Sequence, residues 1–482
     1  MKLSELLRLA QLEASITSDP DISGVTHDSR LVKPGFAFVA IQGVPLPTRP
    51  PLNGHAFIPK ALENGAVAVV GTKTLELPVP YIRVSNDRQA LGDLSSAFWG
   101  FPARRLKIIG VTGSKGKSTT VTLIHHLLEH AGVRAARMST VGIRYAGRDE
   151  ILPGHFTTPE APQVQELLKR FVDAGCDTAV LEVSSHALAL ERVRGISYDV
   201  GVWTNLEAEH LDFHGTMEAY FAEKRKLLER SRWKIINSDD DWGNRIPMLG
   251  NSYYYGTHGD WSFTQLAETA KGLEFKVISP FGDFDVRLPM IGTFNALNAL
   301  AAMAAVSVID GFDTNELQNG LSSFPGVPGR MQLIQTEPFR VINDFAHTEN
   351  SVRAALETLR STTPGRIILV VGAAGERGTE RRTGIAGAAA EGADFTVFTE
   401  EDHRTESLDG ILETMREAFV QAGGAAYRIE PDRREAIRWA VRNAKAGDTV
   451  LLAGKGHERT MERGTDAIPW DETAEARAAL EG

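Results

Sequence analysis

Gly113, Ser114, Lys115, Gly116, Lys117, Ser118 and Thr119 form a glycine-rich turn at the end of the apolar run Leu106 to Thr112. A strand, turn and helix in that order make a phosphate cradle. Glycines at 113 and 116 let backbone N–H groups close around anionic oxygens, Lys117 adds a point charge, and the Ser118 hydroxyl suits Mg²⁺. Val111 stands where the usual motif has its outer glycine, so the loop is a shortened form, and ATP is the expected ligand. A metal carboxylate is then required. Glu182 is the candidate, because it sits among apolar residues at the end of Asp177 to Val183, where a lone charge is costly to bury. After a further apolar run, Val200 to Trp203, come His210, Asp212 and His214. Without a second histidine cluster, and beside a phosphate loop, this alternation favours Mg²⁺ over zinc.

The elements that must carry these residues follow one pattern. Ala61 to Val70, Phe171 to Val183 and Ala389 to Thr399 each run from a polar-apolar helix through a small-residue turn into an apolar strand. That alternation predicts an α/β fold with parallel-rich sheets. The chain has 482 residues, too many for one core, and about three domains are expected. Breaks fall near Phe101 to Arg105 and in the Pro/Gly-rich Phe324 to Arg330, giving domains 1–104, 105–328 and 329–482. The proline-rich Pro45 to Pro51 reads as a surface loop.

Composition excludes several classes. A formal net charge of -10 argues against a nucleic-acid partner, so anionic ligands must be held by local groups. Nowhere do ~18 apolar residues run together, and Met1 to Arg8 is amphipathic rather than a signal peptide, so no membrane insertion and a cytoplasmic location are expected. Cys176 is the only cysteine, which rules out an intramolecular disulfide, and its apolar surroundings place it in a core.

Taken together, Gly113 to Thr119, Glu182 to His186 and Asn205 to Thr216 resemble the central domain of the Mur ligases of peptidoglycan synthesis. The flanks are similar to the branch of that family that adds a diamino acid to UDP-MurNAc-L-Ala-D-Glu. Upstream the likeness rests on Asp28 to Arg30, Pro34 to Val39 and Gly54 to Ile58. Downstream it rests on Gly292 to Asn298, Pro328 to Met331, Asp344 to Thr348 and Gly454 to Glu458. The resemblance spans nearly the whole chain. It implies a UDP-binding domain, a central phosphate-loop ATPase and a C-terminal Rossmann-like domain that brings the free diamino acid, in a monomer. It also implies an order of chemistry: ATP phosphorylates the glutamate carboxylate, and the amine attacks the acyl phosphate.

Site roles follow from the same resemblance. Ser118, Glu182 and His210 match metal positions, and Lys224 matches a lysine that the family carbamylates into an anion beside Mg²⁺. Lys117, Lys224 and His210 are thus the catalytic set. Asn295, Arg330 and Asp344 match nucleotide contacts. Ser29, Thr157, Thr158, Ser184 and Arg192 match residues that hold the UDP-muramoyl peptide, while Leu190 stands where the family has glutamine. Arg377, Asp402, Arg404, Gly454 and Glu458 fall at amino-acid contacts. The family's Asp-Asn-Pro-Arg specificity loop is here Glu401, Asp402, His403 and Arg404, and the added acid favours L-lysine or L-ornithine over meso-diaminopimelate.

Three other readings fit the residues less well. A folylpolyglutamate synthetase-like ligase would lack the uridine-binding region around Asp28 to Arg30. A dehydrogenase reading of Gly372 to Gly378 lacks the required glycine spacing. A non-catalytic ATP-binding protein has no use for Glu182, His210 and Lys224 together.

Overall fold

Short runs of Val, Ile, Leu and Ala that are covered on both faces become parallel strands, and this chain builds three such sheets. The computed structural model describes residues 1–43, 51–152, 157–247, 250–269, 271–310 and 312–482, so Pro45 to Pro50 of the proline-rich segment lie outside the described residues. In the first third, α1 (Leu3–Leu9), α2 (Ile58–Glu63) and α3 (Asp87–Phe98) accompany β1 (Gly24–Thr26), β2 (Phe36–Val39), β3 (Ala66–Gly71) and β4 (Tyr81–Arg83). The four strands pair in chain order, all parallel. The amphipathic start behaves as read: Leu3, Leu6 and Leu7 of α1 are buried in this core.

The central third contains β5 (Lys107–Thr112), α4 (Lys117–His130), β6 (Ala135–Ser139), β7 (Gly142–Tyr145), β8 (Arg148–Glu150), α5 (Ala161–Asp173) and β9 (Thr178–Glu182). It continues with α6 (Ser185–Ala189), β10 (Tyr198–Trp203), α7 (Leu211–His214), α8 (Met217–Glu229), β11 (Ser231–Asn237) and β12 (Asn251–Tyr255). These strands form one sheet in the order β12-β11-β10-β5-β9-β6-β7-β8, antiparallel only at β6-β7-β8. Helix α5 shows why the layers hold. Val164, Leu167, Leu168, Phe171 and Val172 recur at helical spacing, and all are buried in a core that includes Cys176.

Next comes a meander that the sequence pattern did not announce: β13 (Ser262–Thr269), β14 (Gly272–Ile278) and β15 (Phe284–Leu288), with β14 and β15 antiparallel. From Gln265 to Thr269 exposed and half-buried residues alternate along β13, as in a sheet with one face in water. Helices α9 (Phe294–Asp310) and α10 (Thr314–Ser322) follow.

The last third holds β16 (Gln332–Gln335), β17 (Arg340–Asp344), α11 (Glu349–Arg360), β18 (Ile367–Val371), α12 (Thr379–Gly392), β19 (Phe395–Phe398) and α13 (Leu408–Gln421). It closes with β20 (Tyr427–Ile429), α14 (Arg433–Asn443), β21 (Thr449–Ala453), β22 (Thr460–Arg463), β23 (Asp466–Pro469) and α15 (Glu472–Glu481). The main sheet runs β16-β17-β21-β18-β19-β20, parallel except for β16. Period-two alternation sends Ile367, Leu369 and Val371 into a core with α11, α12 and α13. Ile368 and Val370 face a core with α14 and α15. The chain after β18 therefore leaves toward one face and the chain after the neighbouring β21 toward the other, which opens a crevice at the strands' carboxyl ends.

By contacts the chain forms two compact units, Met1–Ser262 with Leu300–Glu316, and Phe263–Ala299 with Leu317–Gly482. Among the described residues no helix is long and apolar enough to cross a membrane.

Candidate functional site

In the first unit, β5 delivers the phosphate loop to the N-terminus of α4. Gly113 has φ of 151°, and a Cβ there would lie 1.8 Å from Thr204 Oγ1, so only glycine fits. Gly116, at φ 80°, caps α4. The loop is braced from β10's end: Ser114 N–H donates to Asn205 O at 2.9 Å, and Lys115 N–H donates to Asn205 Oδ1 at 2.8 Å. Asn205 lies in the polar cluster that follows β10, where sequence alone gives it no role. Its two acceptors show it to be the residue that fixes the loop's first half.

Ser118 and Thr119 are buried in the first turn of α4, and Ser118 Oγ donates to Glu182 Oε2 at 2.9 Å. The same carboxylate oxygen accepts from Thr140 N–H at 2.9 Å and Thr140 Oγ1 at 3.0 Å. Thr140, just after β6, was missed; it lies 42 residues from Glu182, and nothing in its local sequence points there. Lys117 Nζ donates to Gly113 O at 3.0 Å and Ser114 O at 2.7 Å, while Lys224 Nζ, reaching from α8, donates to Gly113 O at 2.6 Å. Lys224 is fully buried. Desolvation first, then the nearby Lys117 charge, drives its amine well below the ordinary lysine range.

His210 stands at the entry to α7, in left-handed backbone with φ of 55°. Its ring is 4.9 Å from that of His186, and His214 Nε2 lies 2.9 Å from Ser185 Oγ. Burial lowers His210 and, with His210 and His214 beside it, lowers His186 to about 4, so these rings stay neutral at physiological pH. Among the described residues no three His, Cys, Asp or Glu side chains are placed to hold a metal ion. The bonded Ser118 hydroxyl and Glu182 carboxylate are hard oxygen donors, a pair that fits Mg²⁺ better than zinc.

The expected peptide-binding residues gather beside β9. Thr158 Oγ1 donates to Glu182 O at 2.9 Å and accepts from Ser184 N–H at 3.2 Å, and Ser184 Oγ caps α6 through Ala187 N–H. Arg192 donates through Nη1 to Thr158 O at 3.1 Å, and its Nη2 lies 2.8 Å from Glu160 Oε1. Glu160, also 3.6 Å from Arg88 Nη1, is a second residue the sequence reading missed. Thr157 is half-buried, and Leu190 caps α6 at its carboxyl end. Ser29 lies in the first third, where its carbonyl accepts from Asn64 Nδ2 at 2.8 Å.

The remaining site residues belong to the second unit. Asn295 is buried and donates to Ile291 O while accepting from Asn298 Nδ2. Asp344, at the end of β17, accepts from Met331 N–H at 2.6 Å through Oδ2 and from Ala346 N–H at 2.9 Å through Oδ1. Both oxygens thus fix backbone, and they hold the turn that carries Arg330. Burial raises the Asp344 carboxyl above its ordinary range, against those bonds and the Arg330 charge.

Three loops of the second unit, after β18, β19 and β21, carry the residues matched to amino-acid contacts. Arg377 is exposed in the loop after β18 and, among the described residues, has neither an ion pair nor a hydrogen bond. Asp402 Oδ1 lies 2.7 Å from the fully buried Lys455 Nζ, which is also 2.6 Å from Glu458 Oε2. Arg404, in left-handed backbone, donates through Nε to Glu462 Oε2 and through Nη1 to Gly375 O, both at 2.7 Å. Gly454 has φ of 110°, and a Cβ there would come within 3.0 Å of Glu401 Oε2. That oxygen is buried without a hydrogen-bond partner, and burial pushes the Glu401 carboxyl up. The acid expected to face an ammonium, Asp402, is therefore already answered by Lys455; its neighbour Glu401 holds the open acceptor.

Two family models match the chain: the Mur ligase middle domain over residues 111–306, and the Mur ligase, glutamate ligase domain over residues 329–456. The chain is 48% identical to the UDP-N-acetylmuramyl-tripeptide synthetase of Deinococcus radiodurans, covering 100% of this chain and 99% of that protein. It is 38% identical to the UDP-N-acetylmuramoyl-L-alanyl-D-glutamate--2,6-diaminopimelate ligase of Geobacillus thermodenitrificans, again over 100% and 99%. Its fold is similar to a solved 2,6-diaminopimelate ligase at 30% identity and a TM-score of 0.69, covering 100% of this chain and 99% of the other.

Proposed function

Because this chain belongs to the Mur ligase family of ATP-dependent amide-forming enzymes, we propose that it adds L-lysine or L-ornithine to UDP-MurNAc-L-Ala-D-Glu. The family assignment alone makes it a ligase that extends a UDP-MurNAc peptide with an amino acid in peptidoglycan synthesis. The single observation that carries the choice of amino acid is Glu401: its buried carboxyl oxygen without a partner can accept the second ammonium that all three amino acids carry, and as an acid it offers no counter-charge to the second carboxylate that only meso-diaminopimelate carries.

We assign residues 1–104 to uridine recognition, 105–328 to ATP and 329–482 to the amino acid. The N–H groups at the start of α4, with Gly113 to Thr119, hold the triphosphate, and Lys117 follows the charge that moves onto the transferred phosphoryl group. Ser118 and Glu182 would hold one Mg²⁺, His210 would be a ligand of a second, and a carbamate on Lys224 would support the site; the metal would supply charge stabilisation on phosphate oxygens. Lys224 suits carbamylation because its neutral amine is the nucleophile toward carbon dioxide, and the product anion relieves its opposition to Lys117. Thr158, Ser184 and Arg192 orient the glutamyl carboxylate, which takes the γ-phosphoryl group with release of ADP. The amine then displaces phosphate from the acyl carbon, and positioning supplies most of the rate.

The test is phosphate release from ATP and Mg²⁺ with UDP-MurNAc-L-Ala-D-Glu, adding L-lysine, L-ornithine or meso-diaminopimelate separately and identifying the tripeptide by mass. Release that needs the nucleotide peptide and is fastest with L-lysine or L-ornithine is the expected outcome. Preference for meso-diaminopimelate would overturn the amino-acid assignment and leave the ligase intact.

A further inference from the structure

The crevice above β18 and β21 contains more charge than one amino acid can use, and most of it is already matched. Arg381 senses Glu401, Arg377, Arg404 and Glu458 together, which places these groups in one electrostatic neighbourhood. Lys455 is matched by Asp402 and Glu458, and Arg381 Nε donates to His347 O at 2.9 Å. Arg404 is matched by Glu462 of β22 at 2.7 Å. Arg377 is left to meet one ligand carboxylate, and Glu401 to meet an ammonium.

Several backbone contacts fix the Arg404–Glu462 pair. Arg404 N–H donates to Glu462 O at 3.1 Å, Gly464 N–H donates to Arg404 O at 2.8 Å, and Glu462 N–H donates to Asp402 Oδ1 at 2.9 Å. The loop after β19 and the hairpin β22-β23 are thereby stitched together, and the guanidinium is pinned between Glu462 and Gly375 O. A second carboxylate on the incoming amino acid would have to displace Glu462 or sit against it. Like charges in one such place suppress the wrong partner.

We infer that Glu462 is a specificity-determining residue: by occupying Arg404, it restricts the site to diamino acids with one carboxylate and excludes those with two. The inference rests on the amino-acid reading above, and it adds the residue that rejects the competitor. It requires no contact between Glu462 and the accepted substrate, so removing the charge should improve the rejected substrate more than it harms the accepted one.

The experiment compares kcat/KM for L-lysine, L-ornithine and meso-diaminopimelate in the intact chain and in Glu462→Gln, Glu462→Ala and Glu462→Asp. Glu462 is about one-third exposed (32%), so these variants should fold, and their melting temperatures check it. Glu462→Gln and Glu462→Ala should raise the ratio of diaminopimelate to lysine use by about tenfold or more, with Glu462→Asp between them and the intact chain. If the intact chain prefers lysine or ornithine and neither neutral variant moves the ratio, the inference falls while the amino-acid reading stands. If the intact chain uses diaminopimelate as well as lysine, both fall, because the pair would then exclude nothing.

Discussion

Lys117 and Lys224 donate to the same acceptor, the carbonyl oxygen of Gly113, at 3.0 Å and 2.6 Å. Two ammonium groups on one oxygen repel, and full burial, with the Lys117 charge beside it, pushes the Lys224 amine well below the ordinary lysine range. A carbamate on Lys224 would turn that opposition into an ion pair. Protein equilibrated with ¹³C-bicarbonate should show a carbamate carbon signal that is absent in Lys224→Arg. The arginine variant should lose at least ~100-fold in turnover, on the scale of removing one preorganised charge from a transition state. A Lys224→Arg enzyme with full activity would end the role given to this residue.

Thr140 donates twice to the Glu182 oxygen that Ser118 also meets. Three donors on one oxygen aim the carboxylate, and its other oxygen would be the one offered to a metal. Glu182→Gln should lower turnover by ~100-fold or more, whereas Thr140→Val, which removes only the hydroxyl, should cost about tenfold. The Thr140→Val loss should be partly recovered at higher Mg²⁺. Titrating Mg²⁺ in both variants checks this: an unchanged half-saturating concentration in Thr140→Val would show that Thr140 does not tune the site.

The sequence displayed what is local. The phosphate loop, its strand and its helix are contiguous, so glycine placement and apolar runs were enough to find Gly113 to Thr119, and Glu182 stood out as a charge in an apolar strand. The three recurring helix-turn-strand segments became α2-β3, α5-β9 and α12-β19. What it hid was pairing at a distance. Thr140 with Glu182, and Arg404 with Glu462 across 58 residues, are set by which strands become neighbours, and no spacing rule reports that. Asp402 shows the same limit: its charge was legible, but its neutralisation by Lys455 needed β19 and β21 side by side with β18.

Glu160 holds Arg192 on one side and Arg88 on the other, with all three largely buried. Removing the carboxylate leaves two cations facing each other in poor solvent. Glu160→Ala should therefore destabilise the first unit by about 3–5 kcal/mol, the usual consequence of breaking a buried pair from one side. Glu160→Gln keeps a hydrogen-bond acceptor and should fold. Its KM for the UDP-muramoyl dipeptide should rise about tenfold as Arg192 loses its brace, with kcat changed less. Thermal melts and initial rates separate the two effects; an equal fall in kcat and kcat/KM would instead place Glu160 in the chemical step.

Glu401 sets stability against binding. Burial raises its carboxyl above the ordinary glutamate range, against the pull of Arg433 and Lys455. The stability it contributes is then fully present below the ordinary glutamate pKa and is lost as pH rises through the folded value. Glu401→Gln removes that loss. The variant should melt higher than the intact chain at pH 8, by an amount on the order of 1–3 kcal/mol, and the difference should vanish near pH 4. Its KM for L-lysine should rise at least ~10-fold, because a neutral amide replaces the charge that meets the ammonium. A variant whose melting advantage is the same at both pH values would show that the carboxyl is not strained in the free protein. An unchanged KM would place the second ammonium elsewhere in the crevice, against Glu458.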